Sequence, residues 1–337
     1  FFLYIAHTAP HWPMHALPED MAKYKGRYDE GWEVMRKARY DRLLKMGLID
    51  KKWKLSPRDG MAWKDAPNKE WEIRLMETYA AMVDRLDQGL GNVIGALEKR
   101  KMLDDTLIMF IADNGGCAEG MGRRKGIQYK DKDPDKLKPM KPTDLQTDMI
   151  PRRTRDGVVV KQGTEVMTGG ADTYHGYGLS WANASNTPYR KFKSTDYEGG
   201  IRTPFIAHWP AVIKPGMTNQ VGHIIDVSAT FRDITGAKYP KKILSNKTKP
   251  PLGKSLLPVF KGKERDPHSE IYWRFNRANA VRQGDLKVVR AGKAWELYDL
   301  KADPTETYNL ASEQPEKTAE LAKLWEDWNE ASKTKPK

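Results

Sequence analysis

Six apolar residues, Leu107 to Ala112, run straight into an acid, an amide and two glycines in the stretch LIMFIADNGG, Leu107 to Gly116. The run is too short for a free-standing helix and does not alternate. It reads as a strand buried on both faces, as in the middle of a parallel sheet. Open α/β sheets bind ligands and ions at the carboxyl ends of such strands. Asp113 and Asn114 place two oxygen-bearing side chains at that rim. Gly115 and Gly116 then let the backbone turn sharply away. A carboxylate beside a carboxamide suits a hard cation such as calcium or magnesium. An Asn-Gly step after an apolar strand is equally a hairpin signal, and these ten residues by themselves leave both readings open.

A chain of 337 residues can bury a full core and has room for two domains. It is 39% hydrophobic, and no apolar run approaches the roughly 18 residues of a membrane helix. The formal charge of +13 favours anionic partners, whether nucleic acid or a sulfated or phosphorylated substrate. The single cysteine, Cys117, excludes an internal disulfide framework. The chain opens at Phe1 in the middle of the apolar run FFLYIA, so it is expected to be the C-terminal part of a longer protein.

FFLYIA, residues 1–6, is expected to form a second buried strand. It breaks at HTAPHWP, where Pro10 and Pro13 impose a rigid, extended exit. His7, His11 and His15 are spaced by four residues, but the prolines forbid a regular helix there, so the spacing is not a zinc signal. His11, held between prolines past a strand end, has the imidazole best fixed for chemistry, with a structural role as the alternative. Residues 19–47 are charged with helical spacing, and 52–67 read as loop. From Glu70 to Arg100 the apolar residues Tyr79, Met82, Val83, Leu86, Leu90, Val93, Ile94 and Leu97 follow one helical stripe. Gly89, Gly91 and Gly95 weaken that helix and suggest close packing against the sheet. Strand, excursion, helix and strand make a βαβ crossover and hence a parallel sheet.

Residues 121–190 show little periodicity, and between Met121 and Lys161 there are twelve Lys or Arg against six Asp. Such an insertion is either a solvated loop or a positive wall over an anionic substrate. Lys193 precedes a Gly-Gly turn that leads into an apolar strand, Pro204 to Trp209, and a helix follows within Val221 to Leu244. A boundary is expected near residue 250, giving domains 1–250 and 251–337. In the second, 271–273, 280–282, 286–289 and 295–298 read as an antiparallel meander, closed by a helix over 315–328.

Four motifs, in order, are similar to those of the type I, formylglycine-dependent sulfatases, the arylsulfatase family. They are FLYIAHTAPHWP, FIADNGG, KSTDYEGGIRTPFIAHWP, and NAVRQGDLKVV with WELYDLKADPTETYNLA. The resemblance implies an α/β, alkaline-phosphatase-like fold: a mostly parallel sheet flanked by helices, plus a small C-terminal α+β subdomain with an antiparallel sheet. It implies hydrolysis of a sulfate ester, with Asp113 and Asn114 ligating calcium rather than magnesium, and His11 and Lys193 contacting the sulfate and its bridging oxygen. It further implies a sulfated small molecule or sulfated polysaccharide as partner, no nucleic acid, no membrane, and a formylglycine-generating or equivalent maturation enzyme. A periplasmic or secreted setting follows from the same resemblance, while the oligomeric state stays open.

The family's nucleophile, a formylglycine made from the Cys of a C-x-P-S-R segment, has no counterpart here, because Cys117 is followed by Ala-Glu-Gly. Cys117 is expected to be a bystander at the strand rim. The missing nucleophile is expected upstream of Phe1, and the chain taken alone is expected to be inactive. Arg274, Asn276 and His175 are candidates for sugar contacts. The alternatives are a phosphodiesterase or phosphonate hydrolase of the same superfamily, and a non-catalytic polyanion-binding protein.

Overall fold

The computed structural model describes residues 1–131, 133–244 and 246–333. Lys132 of the basic insertion and residues 334–337 of the expected C-terminal subdomain lie outside the described residues. The chain begins with helices α1 (Pro18–Ala22), α2 (Gly31–Lys45) and α3 (Lys69–Lys99), then strands β1 (Ile108–Ile111), β2 (Gln128–Tyr129) and β3 (Lys161–Gln162). Next come α4 (Gly178–Ser185), α5 (Glu198–Ile201), β4 (Phe205–His208), α6 (Ile225–Thr235), β5 (Lys242–Ile243), β6 (Asn246–Lys247) and α7 (Leu257–Phe260). The strands β7 (Glu270–Phe275), β8 (Ala278–Gln283), β9 (Leu286–Arg290) and β10 (Glu296–Asp299) precede the closing helix α8 (Pro315–Lys333). Two compact units result, residues 1–95 with 115–193 and residues 96–114 with 194–337.

The first unit is built on tryptophan. Trp71, Leu75, Met76 and Met82 of α3 are buried against Trp32 of α2 and Trp181 of α4. The Trp32 and Trp181 rings meet edge-on at 5.3 Å, a geometry the ring quadrupole favours. A buried indole N–H needs an acceptor, and each finds a backbone carbonyl. Trp32 donates to Met61 at 2.9 Å, Trp71 to Val166 at 2.9 Å and Trp181 to Glu72 at 3.0 Å. Gly31 has φ +81°, and a Cβ there would enter the Trp63 ring, so no other residue fits. The loop expected over 52–67 thus contributes Trp63 to the core.

Several sequence readings need correction. Residues 1–8 form no strand and are exposed, with Phe1 79% accessible. Apolar propensity alone does not make a strand, whose backbone groups need a partner, and none of the described strands pairs with this run. The β1 strand is half-buried rather than buried on both faces, and it pairs antiparallel with β4 (Ile108 opposite His208) instead of closing a parallel crossover. A Cβ built on Gly89, Gly91 or Gly95 would meet open space, so the glycine-rich half of α3 makes no close packing. The insertion is loop-like only in its first part. Val160, Tyr174, Tyr177 and Trp181 are core.

In the second unit the meander is as expected, in the order β10-β9-β8-β7, all antiparallel. Its period-2 alternation buries both faces. Val281, Val288 and Leu297 pack under Leu321 and Trp325 of α8, while Ala280, Val289 and Tyr298 pack against Tyr197. Trp325 donates its indole N–H to the Trp273 carbonyl at 2.9 Å.

Because Trp181 is completely buried with its N–H satisfied, Trp181→Ala is expected to destabilise the chain by about 3–5 kcal/mol. Urea unfolding measures this; a loss under about 1 kcal/mol would contradict the core assignment.

Candidate active site

His11 and Lys193 lie 182 residues apart in sequence, yet Lys193 Nζ is 3.0 Å from His11 Nε2. The imidazole orientation assigns the proton. His11 Nδ1 faces the Trp12 carbonyl at 3.0 Å, and a carbonyl only accepts, so Nδ1 carries the hydrogen. Nε2 then presents its lone pair to the lysine ammonium. One N–H of Lys193 is used in this way, and two remain for another acceptor. Segment 9–13 turns back, with His11 N donating to Thr8 O at 3.0 Å, rather than leaving in an extended form.

Lys193 is held by backbone, not by chance. Its N–H donates to Gly116 O at 3.0 Å, and Gly116 N–H donates to Asn186 Oδ1 at 2.8 Å. Asn186 Nδ2 in turn donates to Lys191 O at 3.1 Å. Asp59 completes the support, accepting from Lys191 N at 2.6 Å and from Lys191 Nζ at 2.5 Å. A Cβ on Gly116 would strike the Tyr177 hydroxyl and come within 3.3 Å of Ala182 O, which explains the second glycine of the motif.

Asp113 and Asn114 belong to the second unit. They follow β1 directly, and Thr203 Oγ1 donates to Ala112 O at 2.7 Å, fixing the strand end from which they project. Asp113 is exposed and Asn114 half-buried. Their hard oxygens fit a calcium-type cation, whose shell takes about 6–8 oxygens. Among the described residues no group of three or more His, Cys, Asp or Glu gathers as a metal set. Two side chains by themselves fall short of that number.

Other candidates resolve differently. His175 is no sugar contact: it is completely buried, edge-on to Trp71 at 5.5 Å. Burial holds its imidazole down, from 6.5 to about 4. Arg274 donates to Asn329 at 2.6 Å, whereas Asn276 lines an open cleft. His15 faces the Thr173 carbonyl at 2.7 Å, a structural role. Cys117 is buried, and burial raises its thiol, so it is no ready thiolate.

Sequence reasoning missed Asp59, whose Asp-Gly context signals only a turn. It also missed a buried cluster just beyond Lys193. Lys287 of β9 is fully buried, with Nζ 2.8 Å from both Glu198 Oε1 and Glu306 Oε1. Glu306 also accepts the Glu198 N–H at 2.7 Å. Burial raises Glu306 to about 7 and Asp196 to about 6. The alternation of β9 could have marked Lys287, a charge on a core-facing position.

Residues 1–237 match the family model described as Sulfatase, and 190–334 match N-sulphoglucosamine sulphohydrolase, C-terminal. The chain belongs to the sulfatase family. An uncharacterized sulfatase of Schizosaccharomyces pombe is 33% identical over 96% of this sulfatase chain and 57% of its own length. An arylsulfatase of Klebsiella aerogenes is 26% identical over 80% of the chain and 53% of its own. This sulfatase chain thus spans about half the length of the curated relatives it matches. Among solved structures, Ps i-CgsB matches with TM-score 0.56 and 21% identity, covering 97% of this chain and 49% of its own. The same protein in complex with k-i-k-neocarrahexaose matches with TM-score 0.54 and 20% identity. The alkaline-phosphatase-like α/β fold expected from the sequence stands on that likeness.

For His175 the folded value lies below the unfolded one, so the unfolded chain takes up the proton first. Its stabilising contribution is complete above pH 6.5 and falls as pH drops toward 4, by up to about 3 kcal/mol. Urea unfolding at pH 7 and pH 4.5 is expected to show a shallower decline for His175→Phe than for the native chain. Parallel declines would contradict this origin.

Proposed function

We propose that this chain is part of a sulfatase that hydrolyses a sulfate ester. The observation that carries the reading is the His11–Lys193 pair at 3.0 Å, two nitrogen groups brought together across the first unit in a chain of the sulfatase family. Breaking the ester S–O bond puts negative charge on the leaving oxygen, which a donor must neutralise. Lys193, anchored through Gly116 and Asp59, holds two N–H bonds ready for sulfate oxygens. His11 keeps the third N–H occupied and so fixes the direction of the other two. As charge develops, a proton passes from the Lys193 ammonium to the leaving oxygen, while the His11 Nε2 lone pair holds the lysine in place.

Asp113 and Asn114 would hold a calcium ion jointly with groups from elsewhere in the full protein, and the ion would draw charge from the sulfate oxygens. The attacking oxygen would come from a formylglycine, whose C-x-P-S-R segment the chain does not contain. The basic stretch from Met121 to Lys161 favours a substrate with anionic groups beyond its one sulfate, such as a sulfated polysaccharide, with a sulfated small molecule still accommodated.

The test is turnover by the full protein on an aryl sulfate and on an aryl phosphonate monoester, each with and without a calcium chelator. Preference for the sulfate with loss on chelation is expected; preference for the phosphonate would replace this reading with the phosphonate hydrolase. Lys193→Ala is expected to lower kcat by about 10²–10⁴-fold. In calorimetry, Asp113→Ala is expected to weaken calcium binding by more than about tenfold, and unchanged affinity would remove Asp113 from the metal site. Residues 1–337 alone are expected to release no sulfate.

A further inference from the structure

The second unit contains an open cleft of about 550 Å³ walled by Ser194, Thr195, Phe275, Asn276 and Arg277, with Ala278 and Ala291 behind. That volume lies within the range of small-ligand sites, about 300–1,000 Å³. Two chain segments form it, the residues directly after Lys193 and the two-residue turn between β7 and β8, where Phe275 pairs with Ala278. Ser194 follows Lys193 immediately, so the cleft wall begins one Cα step, about 3.8 Å, along the chain from the proposed sulfate-contacting lysine.

Its side chains form a recognisable set. Phe275 is 50% exposed, an aromatic face left in solvent at the end of a strand. Asn276 and the hydroxyls of Ser194 and Thr195 offer donors and acceptors of the kind that bind sugar hydroxyls. Arg277 supplies a planar cation that pairs with sulfate or carboxylate. The other arginines of this sheet are engaged. Arg274 donates to Asn329 at 2.6 Å, Arg282 donates to Gly284 O at 2.8 Å, and Arg290 lies over the Trp295 ring at 4.5 Å. Among the described residues the Arg277 guanidinium makes no hydrogen bond or ion pair.

We propose that the cleft is a subsite for a second, anionic sugar, with Phe275 under the ring and Arg277 paired with its sulfate or carboxylate. It follows that the protein acts on an oligosaccharide rather than on an isolated aryl sulfate. This rests on the sulfatase reading above and names its substrate class.

The experiment uses the full protein, native and Arg277→Ala, with Phe275→Ala as a second variant, all checked for equal melting temperature. Calorimetry with carrageenan, chondroitin-sulfate and heparan-sulfate tetrasaccharides, and with unsulfated maltotetraose, reads the cleft directly. Aryl sulfate turnover reads the reaction centre. The subsite predicts that at least one sulfated tetrasaccharide binds, that maltotetraose does not, and that Arg277→Ala weakens binding by tenfold or more. Aryl sulfate kcat/KM should stay within twofold. If no tetrasaccharide binds, if Arg277→Ala binds equally well, or if aryl sulfate turnover falls in parallel, the subsite is overturned. Absence of aryl sulfate turnover in the native protein would instead overturn the sulfatase reading, whatever the cleft binds.

Discussion

A lysine ammonium with no access to water holds the second unit together. Lys287 is buried between Glu198 and Glu306, and an isolated charge so placed would be far too costly to keep. Glu198 and Glu306 share the Lys287 ammonium, Arg202 pairs with Glu198 at 3.6 Å, and burial pushes Glu306 up to about 7. The attraction of Lys287 holds Glu198 below its ordinary range despite burial. The cluster is therefore a network of ion pairs rather than a lone buried charge. Its geometric effect is specific. The cluster ties the segment 196–198 to the meander, and Tyr197 adds a hydrogen bond to Glu296 at 2.9 Å. The residues that follow Lys193 are thereby fixed to a rigid sheet.

The first unit achieves the same for Lys193 by other means. There the fixing groups are backbone amides and short polar side chains, Gly116, Asn186 and Asp59, set on a floor of interlocking indoles. Rigid support of this kind is what a site needs if a lysine is to point its remaining hydrogens in one direction. The tryptophan floor matters because Trp32, Trp71 and Trp181 each have their N–H satisfied by a carbonyl, so the floor cannot slide without losing a buried hydrogen bond.

Reading the sequence worked where local pattern and tertiary structure agree. The meander strands alternate, α8 carries one apolar stripe, and both were legible within a few residues. The pairing of His11 with Lys193 was legible only through motif resemblance, because nothing in the local chemistry of either segment points to the other. What failed was the inference from apolarity to strand. FFLYIA has the composition of a buried strand, but pairing is a property of two segments. The same limit hid Trp63 in an apparent loop and His175 in an apparent surface insertion, since burial there comes from distant partners. Asp59, Asn186 and Lys287 act through contacts across tens to hundreds of residues, which no spacing rule records.

Neither unit is a continuous stretch of chain. The polypeptide leaves the first unit at Gly95, contributes residues 96–114 to the second, returns at Gly115 and departs for good after Lys193. During synthesis at about 5–20 residues per second, α3 must therefore wait roughly 5–20 s for the segment that completes its unit. The sides of Trp32 and Trp71 that Trp181 and His175 cover stay open for that interval, and the emerging chain presents them to any chaperone near the ribosome exit. Interleaving has a second effect after folding. A protease that nicks one linker releases neither unit, because each remains threaded to the other by a further crossing.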